Sequence, residues 1–227
     1  MRKLVLLCAF VAVPLFADSP KISMLSNPTT TAHTAGPVTS QTDNLRLEAT
    51  VKWLGPSNPG SLIVYNGNGC CSGWGILVFS SNDTPANAVA VLAGGVTIVP
   101  STITLTPNKW QHVTMDRVNQ NVTLTVTDVG DDGRNSTQTA DLGIVPVNFV
   151  GFLRPAVTYV GDAFNGFIAD AKITDLGSSN VIDSWDFTHG SGTSGKLTLF
   201  AVAAASGSNG NVLNLTSPIA AQVPGNN

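Results

Sequence analysis

Residues 45 to 53 alternate strictly between apolar and polar side chains. The apolar set begins at Leu45 and ends at Trp53. The polar residues between them are Arg46, Glu48, Thr50 and Lys52. Successive side chains of a strand point to opposite faces, so this pattern predicts a strand with one buried face and one face in water. No part of the sequence keeps the period of a helix over several turns, and the chain is therefore predicted to be all-β.

Short apolar segments separated by turn residues continue along the rest of the chain. The predicted strands are Ser61–Tyr65, Gly75–Phe79, Ala88–Leu92, Val96–Val99, Thr102–Thr106, Gln111–Met115, Val122–Thr127, Phe149–Leu153, Val157–Val160, Phe167–Ile173, Val181–Phe187 and Val212–Leu215. Runs rich in glycine, proline, asparagine and aspartate lie between them, as is typical of turns. Many short strands joined in this way predict an antiparallel sandwich of two sheets.

Composition excludes two broad classes of protein. The chain has 227 residues, a net charge of -3 and 11 lysine and arginine residues. Binding of nucleic acid needs clustered basic residues, which this sequence lacks. Hydrophobic residues make up 43% of the chain and charged residues 11%. Such a composition supplies a packed core and does not predict intrinsic disorder.

The first residues have the pattern of a secretory signal peptide. Arg2 and Lys3 precede an apolar run that ends at Phe16, and Ala17 is followed by polar residues. This run is shorter than the ~20 apolar residues that a membrane-spanning helix needs. The predicted organisation is a signal peptide at residues 1–17, a polar leader at 18–42, a β-sandwich at 43–217 and a flexible tail at 218–227. The protein is therefore predicted to be secreted, extracellular or periplasmic, without a membrane anchor.

Two adjacent cysteines, Cys70 and Cys71, remain after the predicted signal peptide. Neighbouring cysteines form a disulfide only through a distorted peptide. They are interpreted as two thiols or as a vicinal disulfide that stiffens a loop. A redox or metal site is the alternative, although no second pair of cysteines is present to complete one.

Four short segments follow one another in a characteristic order. They are Gly73-Trp74-Gly75-Ile76, Trp110-Gln111-His112-Val113-Thr114-Met115, Val122-Thr123-Leu124-Thr125-Val126 and Phe164-Asn165-Gly166-Phe167-Ile168-Ala169-Asp170-Ala171-Lys172-Ile173. Together they resemble the laminin-G-like and pentraxin-like domains of the concanavalin A-like lectin/glucanase superfamily. The resemblance spans roughly Leu45 to Phe187. It implies a jelly roll, in which two large antiparallel sheets pack face to face.

Hydrolysis is the first activity to consider, because the superfamily of this resemblance includes glucanases. Retaining glycosidases use two carboxyl groups about 5–5.5 Å apart, one of which donates a proton. The single glutamate of the chain is Glu48, which lies on the polar face of its strand near Arg46 and Lys52. Glu48 is interpreted as a salt-bridge residue, and the chain is predicted not to be an enzyme.

A cluster of acidic residues after a predicted strand indicates a candidate metal site. Asp128, Asp131, Asp132 and Asn135 fall within one loop. Calcium prefers clustered carboxylate and amide oxygens of this kind, and Asp162 is the expected additional ligand if its own loop lies nearby. The alternative is a polar hairpin, because Asp-Gly is a common tight-turn sequence. Calcium is therefore a predicted cofactor, with the hairpin left open.

A glycine-rich stretch combines aromatic and amide side chains. Sugar rings stack on exposed aromatic side chains, while amide and carboxylate groups bind their hydroxyls. The predicted ligand-binding residues are therefore Tyr65, Asn66, Asn68 and Trp74. The other tryptophans, Trp53, Trp110 and Trp185, are expected to fill the core.

These observations predict a secreted, non-catalytic carbohydrate-binding or adhesion module. Its expected partner is a carbohydrate or an extracellular protein, and nucleic acid is not expected. One alternative is a structural or protein-interaction sandwich that binds no sugar. A further alternative is a glycoside hydrolase that uses aspartates.

Overall fold

The structure is a computed structural model of the chain. It describes residues 22–26, 32–55, 61–68, 72–80, 82–94, 97–129, 136–147, 156–188, 204–215 and 219–222. The predicted signal peptide, both cysteines after it and the predicted strand Phe149–Leu153 lie outside the described residues. In the described ranges, no helix is long and apolar enough to cross a membrane.

The described residues form 16 strands. In chain order they are β1 (Ile22–Ser26), β2 (Ala32–His33), β3 (Leu45–Trp53), β4 (Ser61–Asn68), β5 (Ser72–Val78), β6 (Ala88–Ala93), β7 (Thr97–Thr104), β8 (Trp110–Val118), β9 (Asn121–Asp128), β10 (Thr137–Ile144), β11 (Val157–Val160), β12 (Gly166–Asp175), β13 (Asn180–Asp186), β14 (Ala204–Ser206), β15 (Val212–Leu215) and β16 (Ile219–Gln222).

These strands form two antiparallel sheets. The order in the first sheet is β10-β9-β8-β3-β12-β1-β16, and β13 also pairs with β12. The order in the second sheet is β14-β15-β2-β11-β4-β5-β6-β7. Strands that neighbour each other are often far apart in sequence, as where β3 lies between β8 and β12. The predicted fold, an all-β antiparallel jelly-roll sandwich, is confirmed.

The core lies between the two sheets and consists of alternate residues of each strand. In β3 the apolar residues from Leu45 to Trp53 are at most 2% exposed, as the sequence pattern predicts. They belong to the same core cluster as Val64, Ile76 and Val91 of the second sheet. The polar residues of β3 therefore lie on the opposite, outer face of the first sheet.

The second sheet also carries apolar side chains on its outer face. Tyr65, Leu77 and Leu92 belong to a second buried cluster, whereas the neighbouring Ile76 points into the main core. Strands β5 and β6 are consequently buried on both faces. A strand buried on both faces has no need of polar alternation, which explains the continuous apolar run from Ala88 to Ala93.

Three strands have the predicted bounds, most of the others differ from the prediction by a few residues at their ends, and two predicted strands are one strand in the structure. The bounds of three strands are as predicted: Leu45–Trp53, Val157–Val160 and Val212–Leu215. The segments Val96–Val99 and Thr102–Thr106, predicted as separate strands, are joined in β7, which continues through Pro100. Proline cannot donate a backbone hydrogen bond, but β7 is an edge strand, where that loss is tolerated.

Strands also occur in segments that the sequence pattern assigns to the leader and the tail. Both β1 and β2 lie within residues 18–42, and β16 lies within residues 218–227. β1 pairs with β12 on one side and with β16 on the other, so these two strands extend the first sheet. β2 pairs with β11 and β15 and belongs to the second sheet. Short strands of this kind depend on distant partners more than on their own sequence, and their local pattern is weak.

Candidate functional site

Trp74, the predicted aromatic platform for a sugar, lies in the core. Its side chain is 0% exposed, and it shares the inward face of β5 with Ile76 and Val78. Because β5 begins at Ser72, the glycine-rich stretch around Trp74 is part of a sheet and not an open loop. Contrary to the prediction, Trp74 offers no ring face to a ligand.

Tyr65 and Asn68 are also buried and hold the β4–β5 hairpin together. Tyr65 is 0% exposed and Asn68 is 4% exposed. The Tyr65 hydroxyl donates to the backbone oxygen of Ser72 at 2.6 Å and to that of Asn68 at 3.2 Å. These contacts give the Tyr65 side chain a structural role in the place of the predicted ligand-binding role, and burial keeps the Asn68 side chain from the surface where a ligand would bind.

Asn66 connects the segment between β2 and β3 to the second sheet through hydrogen bonds. Its side chain is 1% exposed, and its Nδ2 donates to the backbone oxygen of Thr39 at 2.8 Å. Its Oδ1 accepts a hydrogen bond from the Thr158 hydroxyl at 2.7 Å. Both polar ends of the amide are therefore occupied within the protein. The four predicted ligand-binding residues all lie in the paired strands β4 and β5 and are all buried, but Tyr65 and Trp74 belong to different clusters on opposite faces of the sheet.

Asp128, a predicted calcium ligand, is held by a lysine. Its carboxylate accepts hydrogen bonds from Nζ of Lys109 at 2.6 Å, from Nε2 of Gln111 at 2.9 Å and from the hydroxyl of Ser136. Burial by itself would raise the pKa of Asp128, but these hydrogen bonds and the charge of Lys109 outweigh it and hold the pKa below its ordinary value. The Lys109 ammonium provides the positive charge that calcium would supply.

The Asp128 contacts predict a specific loss of stability in acid. A carboxylate with a depressed pKa in the folded state stabilises the protein above its unfolded pKa of about 3.9, and this contribution is lost as the pH falls through the folded value. Asp128→Asn is expected to cost about 1–3 kcal/mol at pH 7. Urea unfolding of both proteins from pH 7 to pH 3 measures the difference, which should shrink below about pH 4. If the difference in unfolding free energy stayed constant from pH 7 to pH 3, the ionised Asp128 carboxylate would not be the source of the stability.

The other predicted calcium ligands do not complete a site in the described residues. Three of them lie outside those residues: Asp131, Asp132 and Asn135. Asp162 follows β11 in the second sheet, whereas Asp128 ends β9 in the first. Burial raises the pKa of Asp162, and the charge of His33 opposes that rise. The described part of the chain has no group of three or more His, Cys, Asp or Glu side chains that could hold a metal ion.

An aromatic pair lies on the outer face of the first sheet. In the strand register, Lys52 of β3 is opposite Phe167 of β12 on one side and Trp110 of β8 on the other. Trp110 and Phe167 pack with Ala169 and Val129 in a cluster separate from the main core. Trp110 is 4% exposed, and Phe167 is half-buried. Phe167, Lys52 and Trp110 are called the aromatic row below.

The position of Trp110 differs from the sequence expectation. Trp53 and Trp185 belong to the main core, as predicted. Trp110 instead shares the outward face of β8 with His112 and Thr114, which are half-buried. The aromatic side chain that borders the polar surface is therefore Trp110 and not Trp74.

A polar row and a shallow cleft lie beside the aromatic row. In the next register position across the sheet, Asp170, Thr50 and His112 are neighbours. The Thr50 hydroxyl and Nδ1 of His112 are 3.0 Å apart. Asp170 also lines a cleft of about 320 Å³. The polar residues of the cleft are Glu48, Asp170, Lys172, Ser184, Asp186 and Thr188.

Glu48 is an ion-pair residue, as its position in the sequence suggests. Its Oε1 is 2.5 Å from Nζ of Lys172, and its Oε2 is 3.9 Å from Nε of Arg46. The short contact is made by a lysine on the neighbouring strand β12 and not by Lys52 of its own strand. The cleft therefore contains an internally neutralised Glu48–Lys172 pair together with the carboxylates of Asp170 and Asp186.

Comparison with known proteins identifies the fold. No model of a known protein family matches the chain, and no curated protein matches it. A solved structure from Bacteroides ovatus ATCC 8483, to which carbohydrate binding is provisionally assigned, is similar at 13% identity with a TM-score of 0.57. The match covers 89% of this chain and 60% of that one, so the chain spans less than two thirds of its length. This likeness supports the β-sandwich fold.

Two further solved structures are similar at lower scores. The LG1-3 region of the laminin α2 chain matches at 15% identity with a TM-score of 0.46, covering 71% of this chain and 33% of that one. The enzymatically active domain of tailspike protein 2 from bacteriophage CBA120 matches at 14% identity with a TM-score of 0.42, covering 73% and 30%.

Proposed function

We propose that the chain is a secreted, non-catalytic carbohydrate-binding module that holds a glycan against the outer face of its first sheet. The observation that carries this proposal is the aromatic row, in which Phe167 and Trp110 flank Lys52 beside the polar residues Asp170 and His112. The provisional assignment of carbohydrate binding to the structurally similar Bacteroides ovatus protein supports it. Secretion rests on the predicted signal peptide.

The aromatic row combines the two contacts that a sugar needs. The apolar face of a pyranose ring stacks on Phe167, which is half-buried. Trp110 is almost fully buried and packs in the same cluster, so it supports the position of Phe167. The carboxylate of Asp170 and the imidazole of His112 then bind hydroxyl groups, which fixes the orientation of the ring.

The same face is a poor arrangement for hydrolysis. A glycosidase needs one carboxyl group that carries a proton and a second that is ionised. Glu48 lies 2.5 Å from the Lys172 ammonium, so its carboxylate is already engaged in an ion pair within the protein. The cleft therefore provides polar contacts to a ligand, and we propose that no bond of the ligand is broken there.

Phe167→Ala is expected to weaken glycan binding about tenfold or more, because one stacking residue at the centre of a site contributes about 1.4 kcal/mol or more. The probe is a glycan selected on an array with the wild-type protein, and its affinity is then measured by calorimetry. Ile98→Ala is the matched control, since Ile98 is an apolar side chain 48% exposed on the second sheet. Its affinity should equal that of the wild type.

Three results would overturn this proposal. Equal losses of affinity in Phe167→Ala and Ile98→Ala would place the ligand elsewhere. Release of reducing sugar by the purified protein would favour the hydrolase. The absence of binding to any glycan on the array would favour a structural or protein-interaction module. Measurements in calcium and in EDTA should agree, because the proposed site uses no metal.

A further inference from the structure

Lys52 is the one lysine or arginine in the described part of the chain that has no carboxylate partner. The other four basic residues of that part each lie within 4.0 Å of a carboxylate. These residues are Arg46, Lys109, Arg117 and Lys172. A charge that the protein leaves uncompensated is available to a ligand.

The surroundings of Lys52 make this charge unusual. Its side chain is half-buried on the outer face of β3, with Phe167 and Trp110 directly opposite on the two neighbouring strands. The aliphatic part of a lysine packs readily on aromatic rings while the ammonium stays in water. The positive charge of Lys52 is thus presented beside the ring on which we propose that a sugar stacks.

The charged residues of the cleft limit the number of negative groups on a ligand that can bind to this face. The cleft next to the aromatic row contains the carboxylate of Asp170, and its cation Lys172 is already bound to Glu48. A densely charged polyanion would meet the Asp170 carboxylate and be repelled. One negative group placed at Lys52, with uncharged sugars over the cleft, avoids this repulsion.

We propose that Lys52 selects a glycan in which a sugar with a single carboxylate, a hexuronic acid, occupies the aromatic row. This inference rests on the proposed function, because it names the class of sugar bound at the same site. The sugar stacks on Phe167 and its carboxylate pairs with the Lys52 ammonium, while neutral sugars extend over the cleft. A compact ammonium suits one carboxylate group as a point charge.

The test uses pairs of immobilised oligosaccharides that differ only at one sugar, which is a hexose in one member and the corresponding hexuronic acid in the other. The full predicted mature chain is expected to bind the acidic member about three- to tenfold more tightly, as expected of a partly exposed ion pair, and less so in high salt. Lys52→Gln should lose this preference and still bind the neutral member. Lys52→Arg should keep the preference.

Arg46→Gln is the matched control. It removes the same formal charge from the same face, but the Arg46 guanidinium is already bound by Asp116, at 2.7 Å. Arg46→Gln should therefore keep the preference for the acidic sugar. Equal loss in Lys52→Gln and Arg46→Gln would show a general effect of net charge and overturn the inference, as would equal binding of both sugars by the wild type. Binding of neither member would overturn both the inference and the proposed function.

Discussion

Replacement of Asp183 by alanine is expected to lower the free energy of unfolding by about 3–5 kcal/mol. The Asp183 side chain is 0% exposed. Its carboxylate accepts hydrogen bonds from the backbone nitrogens of Ser184 at 2.8 Å and Asn209 at 3.1 Å. It also accepts from Nδ2 of Asn211 at 2.6 Å and from the hydroxyl of Ser208 at 3.3 Å. Alanine would leave these donors without their acceptor.

The effect is large because Asp183 connects the two sheets. Asp183 lies in β13 of the first sheet, and three of its partners lie in the turn between β14 and β15 of the second. Two further hydrogen bonds join the same two elements. The backbone nitrogen of Ser208 donates to the backbone oxygen of Ser184 at 2.9 Å, and Nε1 of Trp185 donates to the backbone oxygen of Asn211 at 3.2 Å. These contacts between β13 and the turn that joins β14 to β15 are called the junction. Loss of the Asp183 carboxylate therefore weakens the whole junction and not a single contact.

Urea unfolding followed by circular dichroism measures this loss. Asp141→Ala is the control, because Asp141 is exposed and accepts one local bond from the backbone nitrogen of Gly143. Its cost should stay below about 1 kcal/mol. Asp183→Asn keeps the shape of the side chain but turns a donor toward its partners, and is expected to cost about 1–3 kcal/mol. If both Asp183 variants lost no more unfolding free energy than Asp141→Ala, the conclusion that Asp183 stabilises the contact between the two sheets would be wrong.

Gly207→Ala probes the same junction from the other side. A Cβ at residue 207 would lie 2.2 Å from Oδ1 of Asp183, closer than two such atoms can approach. The carboxylate is held by its hydrogen bonds and cannot move away without losing them. The substitution should thus reproduce part of the loss caused by Asp183→Ala.

The first sheet was predictable from the sequence because its strands β3, β8 and β9 alternate between apolar and polar residues. The inward face of β3 was evident from the residues between Leu45 and Trp53, and burial confirms each of them. The same rule, applied to β8, places Trp110 with His112 and Thr114 on the outward face. The signal for this part of the proposed site was therefore present in the sequence, although composition near Trp110 suggested a core residue.

The flanking glycines explain the error at Trp74. Glycines on both sides of Trp74 suggested a loop, yet these glycines are strand residues of β5. A Cβ at residue 73 would lie 2.1 Å from the backbone oxygen of Asn66. The glycine is therefore required for close approach of β4 and β5 and does not mark an open turn. Glycine composition alone does not distinguish the two cases.

The pairing of distant strands lay beyond the sequence pattern. Lys52 lies between Phe167 and Trp110 only because β3 pairs with both β12 and β8. Local alternation gives the face of each side chain but not its neighbour on the next strand. The same holds for Asp183, whose partners come from a turn in the other sheet. Both the aromatic row and the contacts of Asp183 therefore depend on which distant elements lie side by side in the fold.

Trp74→Ala is expected to lower the free energy of unfolding by about 3–5 kcal/mol, the usual cost of removing a large aromatic side chain from a core. Trp74 is 0% exposed and belongs to the main core cluster. Its Nε1 is buried and has no hydrogen-bond partner in the described part of the chain. Trp74→Phe therefore loses no hydrogen bond and should cost only about 1–2 kcal/mol in packing.

The Trp74 variants also separate a core role from a binding role. Trp74→Phe should remain folded and bind the selected glycan with the affinity of the wild type, because the ring does not reach the surface. An exposed platform predicts the reverse: Trp74→Ala would lose glycan binding while its urea midpoint stayed at the wild-type value. Urea unfolding and calorimetry on the same protein samples decide between the two. Loss of stability with retained affinity in Trp74→Phe would exclude Trp74 as the ring on which a glycan stacks and is the result that the structure predicts.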